Sequence, residues 1–366
     1  MHDDDTSQVI DRGPYEGAKT PWDQVTWRNA ALGWARRELA ARGLRETGRL
    51  GVRLRPWSVL VRIPVDGPAG APGSAAVWLK ANPPAGAFEA PLTAALARWV
   101  PEYVLEPLAV DADRGWSLLP HGGELFWQFL DRTPADPRAW EEPLRQYATM
   151  QRALVPHTKD LEQLGVPSAR TTALPEVFDE VVRFIEATAE TDLVPSQLHA
   201  LRPLLLDSCA ELAELGIPDS LDHSDLHDGQ LFHPEPGRYT FFDWGDAAVS
   251  HPFCSFLVPA GRVTERYGPE ALPRLRDAYL EPWTGNGHST AELHRALTLA
   301  TRLGTIGRAA SWNRHFPGAS TATRAAGATE SARSLLKLSP DEPLFQKTPV
   351  TDWPPTTPPS RRDRHP

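Results

Sequence analysis

The segment Leu221 to Ala248, LDHSDLHDGQLFHPEPGRYTFFDWGDAA, places three histidines and five aspartates within 28 residues. Two short apolar runs, Leu231-Phe232 and Tyr239 to Phe242, flank Pro234-Glu235-Pro236-Gly237. Apolar, strand-favouring runs around a Pro/Gly turn read as a β-hairpin. In that hairpin Gln230 enters the first strand and Asp243 leaves the second, so the two lie side by side. Their sequence gap of 13 closes to about 5 Å between Cα atoms. Asp225 sits on the loop just before. An amide and two acids meeting at one end of a hairpin suit holding a metal ion and moving a proton.

The remaining chain, 366 residues in all, is long enough for two lobes. Residues 1–24 read as a disordered N-terminal tail. Trp27 to Leu44 is amphipathic at helical spacing, with Ala31, Trp34, Ala35 and Leu39 on one side. Strands follow at Val52 to Arg55, Val59 to Ile63 and Ala75 to Ala81, with a Gly/Pro turn at 67–73. Phe88 to Trp99 returns to helical spacing. Val104 to Val110 and Trp116 to Leu119 read as a second hairpin. Residues 25–119 therefore form a small sheet lobe with one helix packed across it. Residues 120–124, opening Pro120-His121-Gly122-Gly123, are a hinge. Residues 125–345 are mainly helical, with helices at Pro137 to Val155, Pro175 to Ala189, Ser196 to Leu215, Glu270 to Tyr279 and Ala291 to Trp312. Residues 346–366 read as a disordered Pro-rich tail. The layout is α+β and bilobal, with a ligand cleft expected between the lobes.

A net charge of −9 argues against a nucleic-acid backbone as partner. No apolar run reaches membrane-spanning length and the N-terminus lacks a signal-peptide pattern, so a cytoplasmic protein with no membrane partner is expected. Cys209 and Cys254 read as buried free thiols.

His223-Ser224-Asp225-Leu226-His227-Asp228-Gly229-Gln230 matches the H-x-D-x-x-x-x-N spacing of a kinase catalytic loop except at its last residue. Asp243, in Phe242-Asp243-Trp244-Gly245, stands where the metal-binding Asp of D-F-G would stand. With this pair of motifs the chain resembles the aminoglycoside phosphotransferase and choline kinase family over roughly residues 50 to 315. Family members have a protein-kinase-like fold and often read HGDLHxGN, then a strand and I-D-W. The resemblance implies an ATP- and Mg²⁺-dependent phosphotransferase acting on a hydroxyl of a small molecule. It implies catalytic roles for Asp225 and His223 and metal ligation by Gln230 and Asp243. Ala76-Val77-Trp78-Leu79-Lys80 looks like the third-strand V-A-I-K, which makes Lys80 the phosphate clamp. Glu89 shares a helical stripe with Leu92 and Leu96 and so faces inward, a costly place for a carboxylate without a partner. Burial and resemblance thus lead separately to a Lys80–Glu89 pair. Leu118 to Gly122 falls at the adenine-binding hinge, which brings in Leu119 and His121. Trp78 shares a strand face with Lys80 and either stacks on the base or narrows its pocket.

Three departures from the pattern stand out: Gln230 for Asn, Ser224 for Gly, and Arg55-Pro56-Trp57-Ser58 where a glycine-rich loop would run. Gln230 and Trp78 motivate an alternative, a nucleotide-binding pseudokinase with a binding or regulatory role. A metallophosphoesterase, suggested by Ser224-Asp225-Leu226-His227 and Gly285-Asn286-Gly287-His288, is rejected because the intervening G-D-x-x-D is missing and FFDWGD is left without a role. His227 reads as structural, His233 as a strand-end residue, and Asp228 as a support for the loop or a neighbour of the acceptor. Asp246 reads equally as a second metal-proximal acid or a helix N-cap. Gln151, polar on an apolar stripe, has no assigned role, and Trp244 and Trp312 are candidates to line the acceptor pocket.

Overall fold

The computed structural model describes residues 8–13, 17, 19–67, 76–132, 136–188, 195–315 and 321–345. Beyond Gly67, the Gly/Pro turn expected at 67–73 lies outside the described residues, as does the tail expected at 346–366. The N-terminal lobe is a seven-stranded sheet. Its strands are β1 (Gln8–Asp11), β2 (Arg45–Glu46), β3 (Leu50–Arg55), β4 (Ser58–Asp66), β5 (Ala76–Ala81), β6 (Ala109–Asp111) and β7 (Trp116–Pro120). They are ordered β1-β3-β4-β5-β7-β6, with β2 paired to β4. Strand alternation sorts the faces. Leu50, Val52 and Leu54, with Val59, Val61 and Ile63 and with Val77 and Leu79, bury against Ala31, Trp34, Ala35 and Leu39 of helix α1 (Val25–Ala41). The other face is set by register: Arg53 lies opposite Leu60, Leu60 opposite Lys80, and Lys80 opposite Ser117. One step along, Arg62 lies opposite Trp78 and Trp78 opposite Leu119. This second face looks into the cleft.

Three features of this lobe differ from the sequence reading. Gln8–Asp11, within the expected tail, pairs in parallel with β3 as an edge strand; four residues with Val9 and Ile10 exposed carry no periodic signal. The second hairpin starts at Ala109 rather than Val104, because Val104 bridges Phe241 in the other lobe. Helix α2 (Glu89–Trp99) turns its apolar stripe, Leu92 and Leu96, into the core of the helical lobe and away from the sheet core.

The helical lobe contains the expected helices at Glu141–Leu154, Leu174–Glu186, Leu272–Leu280 and Thr290–His315. The single helix expected at Ser196 to Leu215 is two, Pro195–His199 and Arg202–Glu214. Pro203 lacks the N–H that would bond residue 199 and its ring clashes with that carbonyl. Helices at Phe126–Arg132, Leu257–Tyr267 and Thr321–Leu336 escaped the sequence reading. A three-stranded sheet, β8 (Ser168–Ala169), β12 (Ala248–Ser250) and β9 (Ser220–Asp222), flanks the hairpin of β10 (Leu231–Glu235) and β11 (Arg238–Phe241). The hinge is tied to this hairpin: Leu125 bridges Phe232, and the His233 N–H donates to the Glu124 carbonyl. A Cβ on Gly122 would lie 2.3 Å from the Phe232 ring, so only glycine fits there. No helix among the described residues is long and apolar enough to cross a membrane.

Candidate active site

The hairpin forms, but its base is shifted by one residue. Glu235 pairs with Arg238 at the tip, the expected register, whereas Leu231 pairs with Phe241 at the base. A bulge between Phe232 and Glu235 takes up the difference. It contains Pro234, which has no N–H to give the ladder. Gln230 therefore lies opposite Phe242, whose N–H donates to the Gln230 carbonyl at 3.1 Å, and not opposite Asp243. Asp243 sits just past the strand in the left-handed region, φ 68°. That conformation is uncommon for a side-chain-bearing residue and is tolerated best by Asn and Asp.

Displaced in this way, Asp243 meets the N-terminal lobe. The Lys80 ammonium lies 2.7 Å from Glu89 Oε1 and 2.5 Å from Asp243 Oδ1. The Trp244 N–H donates to the same Glu89 oxygen at 2.9 Å, and the Asn82 amide donates to Glu89 Oε2. Glu89 thus joins β5, α2 and the hairpin exit. The side chains of Lys80 and Glu89 are 10% and 8% exposed, that of Asp243 41%. Burial alone would lower the Lys80 pKa, but Asp243 and Glu89 outweigh it and the net shift is upward. Burial raises the Glu89 pKa more than Lys80 lowers it. Burial also pushes Asp243 upward, but the charge and hydrogen bond of Lys80 prevail and hold it ionised.

The loop carrying Asp225 is gripped from below. Ser224 is also left-handed, φ 59°, which accounts for glycine being the usual residue in proteins of this motif. The strain is offset by Asp222, whose carboxylate accepts from the Ser224 N–H at 2.8 Å, the Ser224 hydroxyl at 2.9 Å and the Ser255 hydroxyl at 2.6 Å. Burial nonetheless raises the Asp222 pKa. Gln151 is fully buried. Its amide donates to the Leu221 and Pro252 carbonyls and its oxygen accepts from Tyr279, so it anchors the strand feeding the loop.

Asp225 is held by Arg308, from helix Thr290–His315. The guanidinium donates to Asp225 Oδ1 at 2.6 Å and to the Ser224 carbonyl at 3.1 Å. Gln230 Nε2 lies 3.5 Å from Asp225 Oδ2, at the outer limit of a hydrogen bond. His227 Nε2 is 3.7 Å from the same oxygen. His227 Nδ1 accepts from the Gly229 N–H, and burial lowers its pKa, so a neutral ring presents its Nε2–H toward Asp225. Asp228 accepts from Arg262 at 3.3 Å. Asp246 is near enough to act electrostatically on both Asp243 and Arg308.

The other sequence candidates divide. His223 is fully buried and its Nε2 donates to the Phe242 carbonyl at 2.9 Å, which places it beneath the site. Trp244 is fully buried against the His223 ring, which removes it from any pocket wall. Trp312 is half-buried and stacks below Arg308 at 5.6 Å. Trp78 and Leu119 are half-buried neighbours on the cleft face and His121 is exposed at the hinge; partial burial and then Arg62 lower the His121 pKa. Sequence reasoning missed Arg308, Asn82, Asp222 and Arg262. Asn82 carried a usable signal, two residues past Lys80 on the same face; an arginine 83 residues from its partner carries none.

No family model matches the chain, and neither does any curated protein. Solved structures do. An ethanolamine kinase of Plasmodium vivax superposes with a TM-score of 0.56 at 10% identity, over 85% of this chain and 89% of that one. The fold is protein-kinase-like. A macrolide 2′-phosphotransferase of Brachybacterium faecium gives 0.52 at 16% identity, over 86% and 99%. Aminoglycoside 2′-phosphotransferase-IIIa in its GDP complex gives 0.50 at 12%, over 83% and 98%. At these identities the likeness extends to the kinase-like fold, and the chemistry rests on the side chains above.

Proposed function

We propose that the chain transfers the γ-phosphoryl group of ATP, with Mg²⁺, to a hydroxyl of a small molecule. The observation that carries this is one ammonium, Lys80, bonded at once to Glu89 of one lobe and Asp243 of the other, with Asp225 on the adjoining loop. Lys80 holds the phosphates, and Trp78, Leu119 and His121 border the base. Asp243 and Gln230 hold the metal. The donor set fits, since Mg²⁺ takes one or two protein oxygens and completes its shell with phosphates and water. Asp243 is ionised and partly exposed, and Gln230 turns its amide nitrogen to Asp225, leaving its carbonyl oxygen for a cation. The bound ion supplies neutralisation of charge on the transferring phosphate. Asp225, fixed by Arg308, orients the acceptor hydroxyl and takes its proton. The new O–P bond forms as the bond from the γ-phosphorus to the bridging oxygen breaks, and ADP leaves with that electron pair. His223 acts as a positioning residue by holding the Phe242 carbonyl beside Asp243.

The test is a titration of Mg·ATP and Mg·GTP into wild type, Asp243→Asn and Asp225→Asn, with an acceptor screen read by diphosphate release. Wild type binds. Asp243→Asn weakens binding by roughly tenfold or more. Asp225→Asn binds normally and loses roughly 10²–10⁴-fold in turnover. Nucleotide binding without turnover on any acceptor would favour the pseudokinase alternative, and normal turnover by Asp225→Asn would remove that residue from the chemistry.

A further inference from the structure

The cleft face of the sheet carries, in the same row as Lys80, a cation that the proposed chemistry leaves unused. Arg53 and Lys80 lie in one cross-strand row with Leu60 between them. Directly opposed residues share a face, so both side chains project on the cleft side while Val52 and Leu54 bury on the other. Two interstrand steps of about 4.8 Å put their Cα atoms about 10 Å apart, a span that two long cationic side chains close onto one polyanion.

Arg53 is exposed and, among the described residues, makes no hydrogen bond or ion pair. Its neighbour on the same face behaves differently: Arg55 is taken up by the Asp11 carboxylate at 2.9 Å and by the Asp11 and Leu54 carbonyls. The site's own acid feels Arg53. Desolvation and then Arg55 lower the Arg53 pKa, while Asp243 pushes it up, so the guanidinium and the Lys80–Asp243 bond share one field. The turn leaving β3 completes the picture. Where a glycine-rich loop covers phosphates with backbone N–H groups in kinases, this chain has Arg55-Pro56-Trp57-Ser58, with no glycine and with a proline that donates nothing.

We infer that Arg53 is a phosphate-binding residue, its guanidinium gripping the β- and γ-phosphates of a nucleotide in place of glycine-loop amides. The inference rests on the nucleotide reading above. A planar guanidinium binds two phosphate oxygens at once, and a phosphate group set between Arg53 and Lys80 faces both cations.

Equilibrium binding of ATP, ADP and AMP, and of the guanine series, to wild type, Arg53→Ala and Arg53→Lys tests this. Arg53→Ala is expected to weaken tri- and diphosphates by roughly 10- to 100-fold, to leave the monophosphates within about twofold, and to keep the unfolding midpoint, because the exposed side chain gives up no hydrogen bond or ion pair among the described residues. Arg53→Lys recovers part of the loss. If wild type binds ATP or GTP and Arg53→Ala binds it equally well, or loses mono- and triphosphate alike, the Arg53 assignment fails and the nucleotide reading survives. If wild type binds no nucleotide, both fail.

Discussion

Replacing Glu89 by Gln keeps the shape of the side chain and one acceptor oxygen for the Trp244 N–H, but it removes the charge. The ammonium left behind belongs to a side chain only 10% exposed, so bulk water does not replace the lost carboxylate. Breaking a buried pair by deleting one partner costs about 3–5 kcal/mol. Here Asp243 remains at 2.5 Å, which sets the expected loss at the lower end, about 3 kcal/mol. Urea unfolding at pH 7, with the denaturant slope checked for constancy, measures it. Adding Lys80→Met to Glu89→Gln should restore part of the stability, because the residual cost is an underpaired ammonium. A double-mutant cycle then yields a coupling of about 1–3 kcal/mol. A loss below about 1 kcal/mol with unchanged slope would refute the argument. It would mean that burial, which already pushes the Glu89 pKa upward, leaves the side chain protonated and the ion pair absent at neutral pH.

Two further outcomes follow from the same geometry. Arg308→Met should lower turnover by roughly 10- to 100-fold without changing nucleotide affinity, since the lost contact serves Asp225, and Arg308→Lys should restore much of the turnover. An equal loss of nucleotide affinity and turnover, with no recovery in Arg308→Lys, would make Arg308 purely structural. His251 is buried, caps the turn Pro252–Phe256 by accepting from the Phe253 N–H, and has its pKa depressed by burial to about 3. Its unfolded value is about 6.5, so between those values the unfolded state binds more protons and stability falls as pH drops, levelling off below about 3. Between pH 7 and pH 5 this amounts to about 2 kcal/mol. His251→Asn keeps a capping acceptor and should lose that much less stability over the same range; parallel curves for the two proteins would refute the assignment.

Local spacing was enough to place Asp225, Gln230 and Asp243 on one hairpin and Lys80 and Glu89 on neighbouring elements. Each of those inferences needs only strand alternation, helical periodicity and a turn signal, which the chain writes in adjacent residues. Alternation also put Trp78 with Lys80, and a polar break at Pro120 to Gly123 separated the lobes. Tertiary structure decided the rest. The bulge at Pro234 shifted the hairpin base by one residue, which moved Asp243 off Gln230 and onto Lys80. Helix α2 joined the core of the helical lobe, so that Glu89 links the two halves. Arg308 came to Asp225 from 83 residues away, and Gln151 to the Leu221 carbonyl from 70. An isolated arginine or glutamine in a helix looks the same whether it meets solvent or a buried carboxylate. The difference is made by which distant surface the helix packs against, and that follows from the joint burial of many side chains rather than from any local pattern.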